Sequence, residues 1–280
     1  MKPIGLDQVA FVKMSGSGND FILIDHRSGG LDESTLKAFV AGICRRRFSV
    51  GADGVILIEF SKIADFRWQF FNADGSRADM CGNGARCAAR YAHQLGLCGP
   101  DVCFETAAGL IRAKVSGRCV TVRLTDPHSL MLNVPIALRD QTIMVSSVNT
   151  GVPHAVVTAA TVDDIDLPSL GREIRFHPRF APDGSNVNFI CREASSQDIR
   201  IRTYERGVEA ETLSCGTGAV AGALVAAVQL GMTSPVRVLP RSGDALTVFF
   251  EQRDGRFHDI RQEGEVRFIY SGVLGAEAWR

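Results

Sequence analysis

Short apolar runs rich in β-branched and aromatic residues, separated by turn residues, dominate the first half of the chain. Runs of this kind predict buried or half-buried strands. We expect strands in the first half at 8–14, 21–25, 55–60, 66–72, 102–105, 110–115 and 119–124. Two segments with helical periodicity lie between them, at 34–46, where Asp32 and Ser34 are candidate caps, and at about 83–95.

The second half of the chain repeats this order of elements. We expect strands there at 143–148, 154–158, 187–191, 199–204, 236–239, 246–250 and 266–270, and a helix at 216–230. Two halves of similar layout, each with strands wrapped around one helix, indicate an internal duplication. We therefore predict an α/β (α+β) fold with two pseudo-symmetric domains, 1–126 and 127–280, separated by the turn-rich segment 125–128. Whether the last strand returns to the first domain stays open.

Composition and charge narrow the class of protein. The 280 residues are 45% hydrophobic and 22% charged, which is typical of a soluble globular protein. The formal net charge is zero, so we expect no bulk attraction to nucleic acid or to an anionic membrane. The longest apolar stretch, 219–228, is too short to span a bilayer, and polar residues interrupt the N-terminal segment, so we expect no secretory signal. Eight cysteines without a C-x-x-C pair favour reduced thiols in a cytoplasmic protein over disulfides or structural zinc.

One short cysteine motif occurs twice. Residues 80–84 read MCGNG and residues 214–218 read SCGTG, and each copy opens a helical run that closes in QLG. A cysteine followed by G-x-G at a helix start lies against exposed backbone N–H groups, which favour both a thiolate and a bound carboxylate. A single copy would be more typical of a buried cysteine beside a helix cap. Two copies favour two thiols, Cys81 and Cys215, that act on one ligand from opposite sides.

Inverting a carbon centre by removing and returning a proton would need such a pair of thiols. The α-proton of an amino acid is weakly acidic, so an enzyme without a cofactor must position a base, an acid and donors for the carboxylate. Cys81 and Cys215 can supply the base and the acid in either order. The donors for the carboxylate can be the backbone N–H groups after each cysteine, those of Gly82, Asn83, Gly216 and Thr217.

Further polar residues lie at the ends of predicted strands. Asn19 and Asn72 could face a cleft there, although each alone is more typical of a turn. Glu205 and Arg206 place a carboxylate beside a guanidinium, which suits either the ammonium and carboxylate of a substrate or a surface ion pair. His154 starts an apolar strand and is either a structural residue or a group that tunes a thiol.

Taken together, these motifs resemble those of the diaminopimelate epimerase family. The matching segments are KM-x-G-x-GNDF at 13–21, GADG at 51–54, NADGS at 72–76, CGNGARC at 81–87, PH at 153–154, NVNF at 186–189, ERG at 205–207 and CGTG at 215–218. They extend over nearly the whole chain, and the two cysteine blocks combined with E-R-G are highly specific.

The resemblance implies a cofactor-independent epimerase, without a metal, that interconverts LL- and meso-diaminopimelate in lysine and peptidoglycan precursor synthesis. It also implies two pseudo-symmetric domains with the substrate between them, and a homodimer. By position it implies Cys81 and Cys215 as the catalytic pair, with His154 and Glu205 adjusting the proton affinity of the thiols. The substrate-binding residues it implies are Asn19, Asn72, Gly82, Asn83, Asn186, Glu205, Arg206, Gly216 and Thr217.

Three departures from the family pattern bear on specificity. Ser15 stands where the family has a histidine, and Val152 stands where an asparagine commonly precedes Pro-His. The second departure removes one polar contact to substrate, for which Asn149 or Thr150 is a candidate replacement. The loop before the second cysteine also holds one extra residue, within 208–211.

Two alternatives stay open. The chain could be a racemase of another amino acid, of the histidine or proline type, on the same scaffold. Asn72, Asn186 and the Glu205-Arg206 pair argue against this because they suit a second amino-acid end. From a different class, the chain could be a non-catalytic thiol switch or a metal-binding protein.

Overall fold

The computed structural model describes residues 8–193, 196 and 198–280. This part of the chain forms two compact units. The first unit comprises the described residues up to Val122 together with Glu265–Arg280, and the second unit is Arg123–Gly264. The observed boundary thus lies a few residues before the predicted one, and the C-terminal residues join the first unit.

The first unit contains two helices and a run of paired strands. Its helices are α1 (Glu33–Ile43) and α2 (Gly82–Gln94). Its strands are β1 (Ala10–Gly16), β2 (Asn19–Asp25), β3 (Gly54–Glu59), β4 (Phe66–Asn72), β5 (Arg77–Ala78), β6 (Asp101–Thr106), β7 (Gly109–Ser116) and β8 (Cys119–Arg123). They pair in the order β1–β2–β3–β4–β6–β7–β8, with β5 beside β4. The pairs β2/β3 and β4/β6 are parallel, and the others are antiparallel.

Helices cover both faces of this sheet, and β3 shows how. All residues of β3 are buried. Val55 and Leu57 belong to the apolar cluster that contains Phe39 of α1. The intervening Ile56 faces α2, where a Cβ at Gly84 would lie 3.3 Å from Ile56 Cδ1. Successive side chains of a strand point to opposite faces, so a strand between two helices is a continuous apolar run.

The second unit has the corresponding elements. Its helices are α3 (Leu167–Arg175) and α4 (Gly216–Gln229), with a 3₁₀ turn at Pro178–Phe180. Its strands are β9 (His128–Ala137), β10 (Thr142–Asn149), β11 (Pro153–Thr158), β12 (Asn186–Arg192), β13 (Asp198–Glu205), β14 (Ala210–Thr212), β15 (Val236–Leu239), β16 (Leu246–Arg253) and the first part of β17 (Arg256–Val273). They pair in the order β9–β10–β11–β12–β13–β15–β16–β17, with β14 beside β13. Here β11/β12 and β13/β15 are parallel.

Helix α4 is the core helix of the second unit. Every residue from Gly218 to Ala226 is buried. A helix that is apolar on all sides belongs in the interior. Its small residues let the strands come close, since a Cβ at Gly222 would lie 3.1 Å from both Ile190 and Ile201.

The two units share one internal topology. In each, a helix connects the first parallel pair of strands: α1 joins β2 to β3, and α3 joins β11 to β12. In each, a helix preceded by a cysteine connects the next parallel pair, with α2 between β4 and β6 and α4 between β13 and β15. The internal duplication predicted from the repeated motif is therefore confirmed at the level of strand order.

The longer elements missed by the sequence prediction are β9, α3 and the first half of β17, and the short strands β5 and β14 and the 3₁₀ turn were not predicted either. β9 is mostly exposed or half-buried, and its apolar residues are interrupted by Asn133 and Pro135, which are unfavourable in a strand. α3 is short, and Gly171 in its middle weakens its helical pattern, whereas Pro168 lies in the first turn, where proline is tolerated. The first half of β17 is rich in charged residues. The second half of β17 pairs with β1, which is why the C-terminal residues belong to the first unit.

Among the residues described, none of the helices combines the length and apolarity needed to cross a lipid bilayer.

Candidate functional site

Cys81 and Cys215 occupy the same position at the starts of α2 and α4. Each is the N-cap residue with extended backbone angles, φ −146° and ψ 122° for Cys81 and φ −118° and ψ 114° for Cys215. Neither side chain makes a capping hydrogen bond to its helix. The cysteine carbonyls accept the first intrahelical bonds, from Ala85 N–H at 2.8 Å and Ala219 N–H at 2.9 Å. The N–H groups of the residues in between have no intrahelical acceptor and point out of the helix start.

The helices α1 and α3 begin differently. Asp32 caps α1 by accepting from the N–H of Ser34, and Asp166 caps α3 by accepting from the N–H of Ser169. Neither α2 nor α4 has an acidic residue in its first turn. No first-turn carboxylate therefore neutralises their positive ends, which favour a thiolate or a bound carboxylate.

Burial separates the two capping cysteines from other thiols of the chain. Cys87, on the same helix as Cys81, and Cys44 are buried, and burial raises the pKa of each to about 12. Burial also raises the pKa of Cys98 to about 11. Cys81 and Cys215 combine partial exposure with a helix N-terminus, the surroundings that reactive thiols need. Within the described residues, no group of three or more His, Cys, Asp or Glu side chains could hold a metal ion.

In the first unit, a tight turn places Asn19 at the start of β2. β1 and β2 form a hairpin in which Gly16 pairs with Asn19. The connecting residues Ser17 and Gly18 both have positive φ, 52° and 93°, as in a type I′ turn. The buried Ser17 hydroxyl accepts a hydrogen bond from Arg86 Nη2 at 2.9 Å, which ties the turn to α2.

Asn19 and Asn83 are brought together in a hydrogen-bonded relay. Asn83 Nδ2 donates to Asn19 Oδ1 at 2.6 Å, and Asn19 Nδ2 donates to Asp53 at 2.9 Å. Arg86 Nη2 donates to Asn83 Oδ1 at 2.5 Å, and Arg46 donates to Asp53 at 2.8 Å. Neither Arg86 nor Asp53 has a role that was predicted from the sequence. The available signal for Arg86 was a charged residue within a helical run of alanine and cysteine.

Asn72 and Gly82 lie at the ends of elements in the same unit. Asn72 is the exposed last residue of β4, and its Nδ2 donates to Ser76 Oγ at 3.0 Å across the β4–β5 turn. Gly82 is the first residue of α2. The predicted contact of Asn72 with a substrate stays a prediction.

In the second unit, Asn186 connects two predicted site segments. It is buried at the start of β12, where its Oδ1 accepts from the backbone N–H of Arg206 at 2.9 Å and its Nδ2 donates to the Pro153 carbonyl at 3.3 Å. Both of these hydrogen bonds are to backbone atoms, and the first of them holds the backbone of Arg206 in place. Arg206 is half-buried, and within the described part of the chain no ion pair of its guanidinium is found. Such a group is suited to a substrate carboxylate.

His154 is buried and neutral. Asn188 Nδ2 donates to the Ala155 carbonyl at 3.1 Å, and the same nitrogen lies 3.0 Å from His154 Nδ1. Since that nitrogen is a donor, Nδ1 accepts and the imidazole proton is on Nε2. Thr203 Oγ1 donates to Asn188 Oδ1 at 2.9 Å. Burial lowers the pKa of His154 to about 3, with a smaller effect from the charge of Arg206.

Asn188 lies directly beneath the start of α4. A Cβ at Gly218 would lie 2.4 Å from Asn188 Oδ1 and 3.3 Å from Cys215 Sγ, so this position requires glycine. In the first unit the corresponding Gly84 approaches Ile56 instead. The duplicated helix starts therefore rest on an apolar residue in one unit and a polar one in the other. Asn188 is a polar residue within an otherwise apolar strand, which is the signal for it in the sequence.

Two side chains hold the first turn of α4 through its carbonyls. Thr150 Oγ1 donates to the Thr217 carbonyl at 3.1 Å, and Gln262 Nε2 donates to the Gly216 carbonyl at 2.7 Å. These bonds do not use the N–H groups of Gly216 and Thr217. Thr217 Oγ1 lies 3.6 Å from Cys215 Sγ. The Thr150 hydroxyl proton is engaged with the helix, so its role as a substitute substrate contact stays a prediction.

The loop between Glu205 and Cys215 contains a left-handed turn, and the extra residue expected within it stays a prediction. Glu209 has φ 57°, and its N–H donates to the Glu205 carbonyl at 2.8 Å. Glu209 Oε1 accepts from Arg175 of α3 at 3.1 Å and from the N–H of Gly207 at 3.0 Å. Glu205 is half-buried at the end of β13, and these contacts hold the loop that follows it.

Comparison with known proteins agrees with the motifs. The family model described as diaminopimelate epimerase matches residues 11–129 and 146–268. A relative from Aquifex aeolicus named diaminopimelate epimerase is 45% identical over 279 residues, which cover 95% of this chain and 98% of the relative.

Solved structures share the fold at low identity. A phenazine biosynthesis protein of the PhzF family from Bacillus anthracis has a TM-score of 0.73 and 15% identity, covering 95% of this chain and 99% of that one. A probable proline racemase from Agrobacterium radiobacter K84 has a TM-score of 0.70 and 17% identity, covering 96% of this chain and 93% of that one. At these identities the likeness concerns the fold alone, and it confirms the predicted fold class.

The buried imidazole predicts how stability depends on pH. The unfolded chain protonates His154 below its ordinary pKa near 6.5, whereas the folded protein resists protonation until pH about 3. This contribution to the free energy of unfolding is complete above pH 6.5 and is lost at about 1.4 kcal/mol per pH unit as the pH falls toward 3. His154→Gln should therefore show a shallower loss of stability between about pH 6 and 4. Urea unfolding at several pH values measures this, and equal slopes for the two proteins would contradict it.

Proposed function

Because the chain belongs to the diaminopimelate epimerase family, we propose that it is a cofactor-independent isomerase that interconverts LL- and meso-diaminopimelate. The reaction would serve lysine and peptidoglycan precursor synthesis. The observation that carries the proposal is the repeated cysteine cap: two half-buried thiols, each at a helix start without a first-turn carboxylate. Helix starts of this kind suit both a thiolate and the substrate carboxylate.

The proposed mechanism uses the two thiols as base and acid. The thiolate of one cysteine removes the α-proton, and the thiol of the other donates a proton to the opposite face of the same carbon. The reverse reaction exchanges these roles. Negative charge develops on the substrate carboxylate as the proton leaves, and preorganised N–H donors stabilise it. The proposed donors are the backbone groups of Gly82, Asn83, Gly216 and Thr217.

The polar residues of the predicted site support a substrate with two amino-acid ends. Arg206 would pair with a carboxylate, and the adjacent Glu205 with an ammonium group. Asn19 and Asn72 supply further donors and acceptors in the first unit, and Asn186 holds the backbone of Arg206. A substrate with a single amino-acid end would leave part of this set unpaired, which costs binding energy. The set therefore disfavours the racemase of histidine or proline type.

His154 and Glu205 are the proposed modulators of the thiols. His154 Nε2 is buried and has no hydrogen-bond partner among the described residues. A neutral N–H donor at this position would stabilise a nearby negative charge, on sulfur or on substrate, without supplying a competing positive charge. A carboxylate such as Glu205 has the opposite effect, and raises the proton affinity of a thiolate near it.

We also propose that the protein is a homodimer. In the first unit the end of β17 carries exposed apolar side chains, with Ile269 52%, Tyr270 46% and Val273 64% exposed. Exposed apolar side chains grouped along one strand are typical of interfaces between proteins. The cytoplasmic location and the lack of nucleic-acid and membrane partners, inferred from the sequence, stay predictions.

The central test is epimerisation in D₂O with a panel of amino acids. With LL-diaminopimelate, a two-base enzyme should place solvent deuterium on the product at early times while the remaining substrate keeps its proton. Histidine and proline serve as comparison substrates. A kcat/KM on diaminopimelate no higher than on these two would favour the alternative racemase, and deuterium in unreacted substrate would contradict the two-base mechanism.

Serine variants test the roles of the cysteines. Cys81→Ser and Cys215→Ser should each lower kcat by about a hundredfold to ten-thousandfold, because a serine hydroxyl is a far weaker acid and base at neutral pH. Cys103→Ser, a half-buried cysteine away from either helix start, is the matched control and should keep full activity. Elimination from an analogue with a β leaving group needs one base and should survive in at least one variant. Normal epimerisation by both capping-cysteine variants would instead favour a non-catalytic role for the thiols.

The assembly can be measured directly. Sedimentation velocity should give a species of about twice the 30.3 kDa chain mass. Ile269→Lys should shift it toward monomer, because a charged side chain is costly to bury at an apolar interface. Leu110→Lys, which changes another exposed apolar residue of the same unit, is the control. A monomer for the wild-type chain at micromolar concentration would refute the dimer.

A further inference from the structure

A fully buried guanidinium lies one turn into the helix that follows Cys81. Arg86 is the fifth residue of α2, and its side chain has no exposed surface. Burial lowers the pKa of Arg86, whereas the nearby thiols of Cys87 and Cys81 raise it. A buried charge is costly unless hydrogen bonds satisfy it. Two of those bonds go to Ser17 and Asn83, so the arginine and these residues depend on one another.

The two ends of the relay determine the direction of every hydrogen bond in it. A guanidinium can only donate and a carboxylate can only accept. Arg86 must therefore bond the Oδ1 of Asn83, which leaves Asn83 Nδ2 to donate to Asn19 Oδ1. Asn19 Nδ2 is then the end that donates to Asp53. Only one orientation of each amide satisfies both of its neighbours in the relay. An asparagine without such neighbours can rotate its amide so that the oxygen and the nitrogen exchange places.

Arg86 also holds the turn that carries Asn19. Ser17 has φ 52°, a left-handed conformation that is uncommon for residues other than glycine. Its hydroxyl is bonded to the same Arg86 nitrogen that bonds Asn83. Asn19 is therefore fixed twice, through the backbone of the turn and through the amide of Asn83.

We propose that Arg86 and Asp53 are positioning residues, which together orient the amides of Asn83 and Asn19 toward the substrate. This rests on the proposed function, in which both asparagines lie at the substrate. Neither Arg86 nor Asp53 is required to touch the reacting atoms. Their effect is on how well two neighbouring amides match a bound molecule.

The second unit shows that this arrangement is not a general requirement of the duplicated helix. The residue five positions after Cys215 is the buried, apolar Val220. Polar support at that helix start comes from Asn188 on the strand below. A buried arginine is therefore unnecessary for the fold of such a unit, which leaves orientation of the asparagines as its role.

The experiment compares three variants and two controls by steady-state kinetics with LL-diaminopimelate. Arg86→Met removes the donor, and Arg86→Lys restores a donor-only cation. Asp53→Asn keeps the shape of the acceptor side chain, but its amide can take either orientation, so the relay loses its fixed direction. This variant also tests the proposal if Arg86→Met fails to fold. The controls are Arg90→Met, one turn further along the same helix, and Asp25→Asn, which breaks a partly exposed ion pair with Arg27.

We expect Arg86→Met and Asp53→Asn to lower kcat/KM about tenfold to a hundredfold, chiefly through a higher KM, since loss of orientation weakens substrate contacts. Arg86→Lys should recover part of the loss. Both controls should keep kcat/KM within about twofold of the wild type. Wild-type KM in Asp53→Asn, or an equal loss in the controls, would overturn the proposal.

A second readout does not depend on activity. In protein labelled with ¹⁵N at its seven asparagines, the side-chain NH₂ signals of Asn19 and Asn83 can be assigned by their loss in Asn19→Asp and Asn83→Asp. These signals should shift and exchange faster with solvent in Asp53→Asn, and stay unchanged in Asp25→Asn. Unchanged signals in Asp53→Asn would overturn the relay whatever the kinetics. An inactive wild type with the expected signals would instead count against the proposed function alone.

Discussion

The first turns of α2 and α4 each present backbone N–H groups that have no acceptor within their helix. Elsewhere in the described chain, α1 and α3 satisfy such groups with an aspartate cap. At α2 and α4 the cap is a cysteine whose side chain makes no capping bond. The proposed chemistry depends on this constraint, because donors that the fold does not use are available to a thiolate and to a substrate carboxylate. An aspartate cap at either position would occupy the donors and add a negative charge.

Duplication of the unit explains why a helix start with unused N–H donors occurs twice. Sequence differences between the two units explain why the two helix starts are not equivalent. The strand order repeats, so each cysteine is carried to the same place in its own unit. The groups beneath differ: Ile56 supports one helix start, and Asn188 with His154 supports the other. A neutral imidazole in one unit and the buried cation Arg86 in the other give the two thiols different electrostatic surroundings. In the proposed mechanism, in which the base and the acid exchange roles between two stereoisomers, these different surroundings would give the two thiols different proton affinities.

Much of the fold could be predicted from the sequence, since its buried strands are short apolar runs and its cysteine helices begin with a repeated motif. β4 and β15 were predicted with the bounds that the structure shows. The misses follow a physical pattern. β9 and the first half of β17 are held by pairing with neighbouring strands and not by burial of both faces. The first half of β17 is rich in charged residues, whereas the apolar residues of β9 are mostly exposed or half-buried and are interrupted by Asn133 and Pro135. α3 forms despite Gly171 because its buried residues pack against the sheet, and Gly171 lets it approach Tyr204.

The sequence by itself determined the family, the duplication and the placement of each cysteine at a helix start, because these follow from local spacing and from helix-capping chemistry. Only the tertiary structure decided which polar groups support them. Arg86 and Ser17 lie 69 positions apart in the chain, and His154 and Asn188 lie 34 apart. No local pattern encodes such a pairing, since a hydrogen bond between distant side chains exists only once strand register and helix packing have brought them within about 3 Å. The same reason explains why the contact between Asn186 and the backbone of Arg206 was not predicted. From the sequence, Asn186 was assigned only to the substrate, and the fold brings it to Arg206.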